Sequence, residues 1–199
     1  DCFWINPLGY HFSQMKVSDL CLMNQNGELV YGKERTGDAA QSIHSNIYKS
    51  RSDINAVAHA HPMYGKTFST LNKELKPITQ DSCAFYKRTA TFTDYDGVAN
   101  GPDEGINIAK ALADKDFLIL QNHGILTTGT MVETTLWYFL NMEEACKSQL
   151  LAEAVGEPIV IPDEVAIHTR DYVANDLSAF ASIQPLLDVL WEKEPEFLD

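Results

Sequence analysis

The run Ile54-Asn55-Ala56-Val57-Ala58-His59-Ala60-His61-Pro62 constrains this chain more than any other. It is apolar enough to be a buried strand, and a proline stops it. Strand side chains alternate between faces, so Val57, His59 and His61 share one face while Ala56, Ala58 and Ala60 share the other. Two imidazoles on one face, close to a strand end, are placed to grip one cation, and a third ligand would complete such a site. The best third candidate is His123, which ends a second apolar run, Leu118-Ile119-Leu120-Gln121-Asn122-His123, just before Gly124, where the backbone can turn. The competing reading of all three is as core histidines bonded to backbone groups.

Around this run, helix and strand patterns alternate. Residues 3–7 read as a short strand, and residues 20–24 and 29–31 flank Asn26-Gly27, a strong hairpin signal. A loop at residues 35–37 leads to a helix over residues 39–49, with Asp38 as N-cap, Gln41 completing a capping box, and Ala40, Ile43, Ile47 and Tyr48 on one stripe. Pro62 suits the first turn of a helix whose inner stripe is Met63, Thr67, Phe68 and Leu71. Residues 75–78 and 82–86 read as strand pieces around Thr79-Gln80-Asp81, residues 89–93 as a weak strand, and residues 95–102 as a loop. A helix is expected over residues 103–114 and buried strands over 117–120 and 125–128. Thr130-Met131-Val132-Glu133 reads as a capping box opening the longest helix, to about residue 155, with Val132, Leu136, Phe139, Leu140 and Cys146 inward. Residues 165–173 and 179–191 are further helix candidates. The alternation makes the class α/β.

The bulk numbers narrow the function classes. A chain of 199 residues, 45% hydrophobic and 22% charged, can bury its own core. We read a single domain over 1–199, with a core over 1–155 and a C-terminal extension over 156–199. The net charge of −13 disfavours nucleic acid and anionic membrane surfaces as partners. No apolar run approaches the ~20 residues of a membrane span, and no signal peptide is evident. Cys2, Cys21, Cys83 and Cys146 have no paired spacing, which points to reduced thiols in a cytoplasmic protein. The opening at Asp1, straight into a strand-like run, leads us to expect a missing upstream segment.

Several stretches, in order and spacing over about residues 1–155, resemble the class II aldolase/adducin family. They are Trp4-Ile5-Asn6-Pro7-Leu8-Gly9, Val17-Ser18-Asp19-Leu20, the run from Ile43-His44 through Tyr48-Lys49-Ser50-Arg51-Ser52-Asp53 to His59-Ala60-His61, then Thr79-Gln80-Asp81, and Leu120-Gln121-Asn122-His123-Gly124 with Gly129. The resemblance implies a three-layer α/β/α fold around a central mixed, largely antiparallel sheet. It also implies a homotetramer with active sites at subunit interfaces, a small-molecule substrate, and a divalent metal held by His59, His61 and His123. Zinc is the foremost ion, with Fe(II) or Mn(II) as others. The family's aldolases carry a glutamate near the start of the helix before the histidine strand; here that place is Ala40. A branch of the same fold departs similarly and includes ferrous-iron oxygenases acting on aromatic acids, and the stretches around Trp4 and Gln80–Tyr86 resemble it.

Other candidates follow with their alternatives. Asp81 and Tyr86 are candidate catalytic residues, against a turn aspartate and a core aromatic. Thr36 and Gly37 precede a helix N-terminus, where the family helps hold a substrate phosphate or carboxylate; Asp38 would oppose a phosphate. Asn122 is a candidate substrate contact, against an ordinary turn role. His44 reads as structural, and His11 and His168 as loop or surface residues. Three functions compete. One is a metal-dependent lyase cleaving a C–C bond or decarboxylating a small hydroxy- or oxo-acid. Another is a non-haem Fe(II) oxygenase. The third is an adducin-like module binding the actin cytoskeleton without catalysis.

Overall fold

The computed structural model describes residues 2–32, 36–94 and 102–199. Arg35 and residues 95–101, which the sequence assigns to loops, lie outside the described residues. The chain forms two compact units, one of Asp1–Ser52, Asp96–Lys110 and Pro185–Asp199, the other of Asp53–Tyr95 and Ala111–Gln184.

In the first unit, strands β1 (Cys2–Ile5), β2 (Cys21–Asn24) and β3 (Leu29–Tyr31) form an antiparallel sheet in that order. The expected hairpin is present: Gly27 takes φ +88°, and the Asn24 side-chain oxygen accepts from the N–H groups of Asn26 and Glu28. Alternation sends Phe3, Ile5, Cys21 and Met23 to one face, where Ala40 and Tyr48 of α1 (Asp38–Ser50) pack on them. Gly37, not Asp38, is the N-cap of α1, and no side chain bonds there, so the expected capping box does not form. Asp38 lies one residue inside the helix, in its first turn.

In the second unit, β4 (Ala56–Ala60), β5 (Thr89–Phe92), β6 (Phe117–Leu120) and β7 (Gly124–Gly129) form a mixed sheet in the order β4-β7-β6-β5. The β4–β7 and β7–β6 pairs are antiparallel and β6–β5 is parallel. In chain order α3 (Pro102–Leu112) lies between β5 and β6, and its residues to Lys110 belong to the first unit. The sheet core, with Phe85, Phe117, Ile119 and Ile125, is covered by α2 (Met63–Ser69) and α4 (Val132–Val155) through Phe68, Tyr138, Met142 and Cys146. Helices α5 (Asp163–Val173) and α6 (Asp176–Lys193) follow.

Several local expectations are corrected. Residues 82–86 are not strand: Asp81–Phe85 is a 3-10 turn. The Ser82 hydroxyl accepts from the N–H groups of Ile78 and Thr79 while Ser82 N–H bonds the Thr79 hydroxyl, a local alternative to ladder pairing. Residues 75–78 form no strand either. In α2 the inner residues are Gly65, Phe68 and Ser69, while Met63, Thr67 and Leu71 are exposed.

The largest correction concerns α4. Phe139 and Cys146 face inward, but Val132, Leu136 and Leu140 are 70%, 37% and 41% exposed. Thr134, Thr135 and Gln149 are buried instead. The helix carries apolar residues around most of its girth, so periodicity does not choose a face. Polar side chains with waiting partners choose it. Thr134 bonds Asp176 at 3.0 Å, and Gln149 bonds Glu74 O and Lys76 N–H. The Thr130 hydroxyl likewise donates to Asp176, and the N-cap of α4 is Met131, so the capping box expected at Thr130 is absent.

His44 lies against the rings of Phe3 and Tyr48, with centroids 6.4 and 6.3 Å away. Burial lowers its pKa from 6.5 to about 4. The unfolded chain therefore takes up this proton first, and stability falls as pH drops from 6.5 towards about 4. Denaturant melts of wild type and His44→Phe should show this loss, about 1–2 kcal/mol between about pH 7 and pH 5, reduced in the variant.

Candidate metal centre

Two segments of the second unit build the site. His59 lies within β4, paired across from Leu126 of β7. His61 sits just past the strand end, before Pro62. His123 comes from the turn between β6 and β7, closed by a bond from His123 N–H to Leu120 O at 3.0 Å. Because β7 returns beside β4, the turn that opens β7 arrives at the end of β4 that carries the histidines.

The turn has specific backbone requirements. Its left-handed residue is Asn122, with φ +56°, a conformation that asparagine tolerates better than most residues. Asn122 N–H donates to Ser69 O at the end of α2, and Gln121 N–H to Phe92 O at the end of β5. Gly124 is needed for a different reason from the turn role its sequence position suggests. A Cβ there would lie 2.5 Å from Ala60 O and 3.1 Å from the His61 ring. Only a residue without a side chain lets the start of β7 approach the end of β4 this closely.

The three rings converge. Their centroids are 5.2 Å apart for His59 and His61, 4.9 Å for His59 and His123, and 4.5 Å for His61 and His123. One nitrogen from each lies within 4.8 Å of the others. His59 Nδ1 is 3.0 Å from Ile125 O. A carbonyl only accepts, so Nδ1 carries the hydrogen and Nε2 carries the lone pair. Burial lowers the pKa of His61, helped by the nearby Lys66 ammonium, and burial also lowers that of His123, helped by His61. Both shifts favour neutral imidazoles, the form that donates to a cation. Three imidazole donors suit zinc or ferrous iron, and three protein ligands leave coordination positions for water or substrate. The residues present therefore fit a divalent metal.

The remaining candidates are not members of the three-histidine cluster. Asp81 is exposed at the start of its 3-10 turn and is not in the metal-ligating cluster, which holds the three histidines. Tyr86 follows that turn. Its hydroxyl bonds Asp163, which raises its pKa, and its carbonyl accepts from Arg170. Thr36 and Gly37 belong to the first compact unit, where Thr36 is buried with its hydroxyl 4.0 Å from the Met23 sulfur, and Gly37 caps α1. Asn122 is exposed, and its place is explained by its backbone angle. His11 and His168 are exposed.

Sequence reading missed Glu143. Its two carboxylate oxygens accept from Tyr64 N–H at 2.8 Å and Gly65 N–H at 2.5 Å, at the start of α2. With Lys147 four residues on, it looks in sequence like one member of a surface ion pair. The available hint was Pro62, a residue with no side-chain acceptor for the helix start that follows it.

The chain matches the family model for the Class II Aldolase and Adducin N-terminal domain over residues 1–150. It is 36% identical over 197 residues to Decarboxylase NovR of Streptomyces niveus, covering 98% of this chain and 73% of that protein. It is also 36% identical over 197 residues to 4-hydroxy-3-prenylphenylpyruvate oxygenase/4-hydroxy-3-prenylbenzoate synthase of Streptomyces roseochromogenus subsp. oscitans, covering 98% of this chain and 71% of that one. Among solved structures, L-fuculose 1-phosphate aldolase from Glaciozyma antarctica PI12 superposes with a TM-score of 0.91 at 38% identity, covering 100% of this chain and 78% of that chain.

Gly124→Ala should force β4 and β7 apart. We expect a loss of about 2 kcal/mol in stability and at least ~10-fold weaker Zn²⁺ binding. Thermal melts and chelator-competition titration check both.

Proposed function

The chain belongs to the class II aldolase and adducin family, and on that premise we propose that it is a divalent-metal-dependent lyase, acting by decarboxylation or C–C cleavage on a small hydroxy- or oxo-acid. The observation that carries this reading is the convergence of His59, His61 and His123, with one nitrogen of each within 4.8 Å of the others.

In this reading the three imidazoles hold the ion, and the bond from His59 Nδ1 to Ile125 O keeps that ring turned towards it. A divalent ion held there would supply a Lewis acid for the carbonyl oxygen towards which the electron pair of a breaking C–C bond moves. Lys66, near enough to His61 to depress its pKa, adds positive charge that suits a substrate carboxylate. Ala40, at the place of the aldolase glutamate, packs against the core of the first sheet. It offers no proton acceptor, which favours decarboxylation, a step that needs no initial deprotonation, over aldol cleavage. The similarity to a protein named as a decarboxylase supports the same choice. Asp81 and Tyr86 are the proton-carrying candidates, and Thr36, Gly37 and Asn122 the substrate-contact candidates. Zinc is the ion we propose first.

A second reading, a non-haem Fe(II) oxygenase on aromatic hydroxy-acids, is favoured by similarity to a protein named as a phenylpyruvate oxygenase. An adducin-like role without turnover asks nothing of three converging imidazoles. A homotetramer with sites at subunit interfaces is part of the same proposal, supported by exposed Val132, Leu136 and Leu140 along α4. A cytoplasmic location is supported by Cys2, Cys21, Cys83 and Cys146, none of which forms a disulfide. Among the described residues, no helix is long and apolar enough to cross a membrane.

Elemental analysis should find about one divalent ion per chain in the wild type and its loss in the His59→Ala/His61→Ala double variant; full occupancy in that variant rejects the site. Anaerobically and with Zn²⁺, CO₂ release from a 3-oxo acid such as oxaloacetate, which leaves an enolate that takes up a proton, should be faster with the wild type than with the His59→Ala/His61→Ala variant. If CO₂ is released instead from 4-hydroxyphenylpyruvate, with Fe(II) and consumption of oxygen, the oxygenase reading replaces the lyase.

A further inference from the structure

We propose that Glu143 is a positioning residue for the three histidines: its carboxylate clamps the first turn of α2 and so fixes where the chain leaves His61. The inference rests on the reading of the triad as a cation site.

The first N–H groups of a helix have no partner inside it and are ordinarily met by a Ser, Thr, Asp or Asn at the N-cap. The N-cap of α2 is Pro62, which makes no side-chain hydrogen bond. Glu143 supplies what is missing from 79 and 78 residues away, one oxygen each to the N–H groups of Tyr64 and Gly65. Both bonds are short and assisted by charge, the stronger class of hydrogen bond. Lys147, one turn further along α4, lies over the Tyr64 ring at 5.3 Å.

The clamp connects to the triad by two routes. One runs through the chain. Only Pro62 and Met63 separate His61 from Tyr64, and the proline ring locks one of the few torsions between them, at φ −67°. The other runs through packing. A Cβ on Gly65 would be 3.0 Å from the Ile125 side chain, so the first turn of α2 rests on the residue whose carbonyl holds His59 Nδ1. On the near side of the histidines, the Thr135 side chain of the same α4, its proton given to Met131 O, lies 3.4 Å from Ala56 O at the start of β4. One helix thus touches the histidine segment before its ligands and bonds it after them. Loss of the carboxylate frees the after side, and the geometry of the imidazoles loosens.

The test is metal affinity and ligand geometry in Glu143→Ala, Glu143→Gln and Glu143→Asp. Zn²⁺ affinity is measured by chelator competition and geometry by the visible spectrum of the Co²⁺-loaded protein. Ile43→Ala in α1 serves as a control that lowers stability without touching the clamp. We expect Glu143→Ala to bind Zn²⁺ about 10–100-fold more weakly with an altered Co²⁺ spectrum. Glu143→Gln, with one acceptor oxygen, should fall between it and wild type, and Glu143→Asp should recover part of the loss. The control should melt earlier yet keep wild-type affinity and spectrum. A folded Glu143→Ala with wild-type affinity and spectrum overturns the proposal. If that variant does not fold, wild-type values in Glu143→Gln overturn it equally. A wild type that binds no Zn²⁺ overturns the site reading and this inference with it, whereas wild-type binding that is lost in His59→Ala/His61→Ala but kept across the Glu143 series overturns this inference alone.

Discussion

The antiparallel pairing of β4 with β7 is the interaction on which the rest of the site depends. It sets His59 opposite Leu126 and Ala60 opposite Ile125, and it brings the β6–β7 turn to the histidine end of β4. A slip by one residue would turn His59 to the other face of the sheet, because strand side chains alternate. Gly124 protects the register at its tightest point, where the backbones approach too closely for any side chain. Site and sheet are therefore one construction: the forces that order β4 and β7 also gather the imidazoles.

Much of this was legible in the sequence because it is local. The alternation from Val57 to His61, the stop at Pro62 and the hairpin at Asn26-Gly27 each rest on near neighbours. The stripe of α1 is equally local, and Ala40, Ile43, Ile47 and Tyr48 are half-buried or buried as the period demands. The convergence of His123 with the other two needed more than local pattern, and the family motifs carried that step.

What escaped the sequence is what distant groups decide. Periodicity could not choose the buried face of α4, an apolar helix whose Thr134 and Gln149 turn inward because Asp176 and Glu74 await them. Capping boxes expected at Asp38 and Thr130 did not form, because the N-caps are Gly37 and Met131, each one residue away. The segment around Asp81 has strand-like composition, yet Thr79 and Ser82 bond their own backbone and wind it into a 3-10 turn. Glu143 is the sharpest case, since nothing within reach of it in sequence reveals that it completes α2.

The pairing of Ala56 with Gly129 joins residues more than seventy positions apart. Closing so long a loop is slow compared with forming a helix or a hairpin. During synthesis, β4 emerges with His59 and His61 well before His123 exists. The three imidazoles can therefore meet only after the sheet has closed, and their cluster is a product of the folded chain rather than of any segment alone.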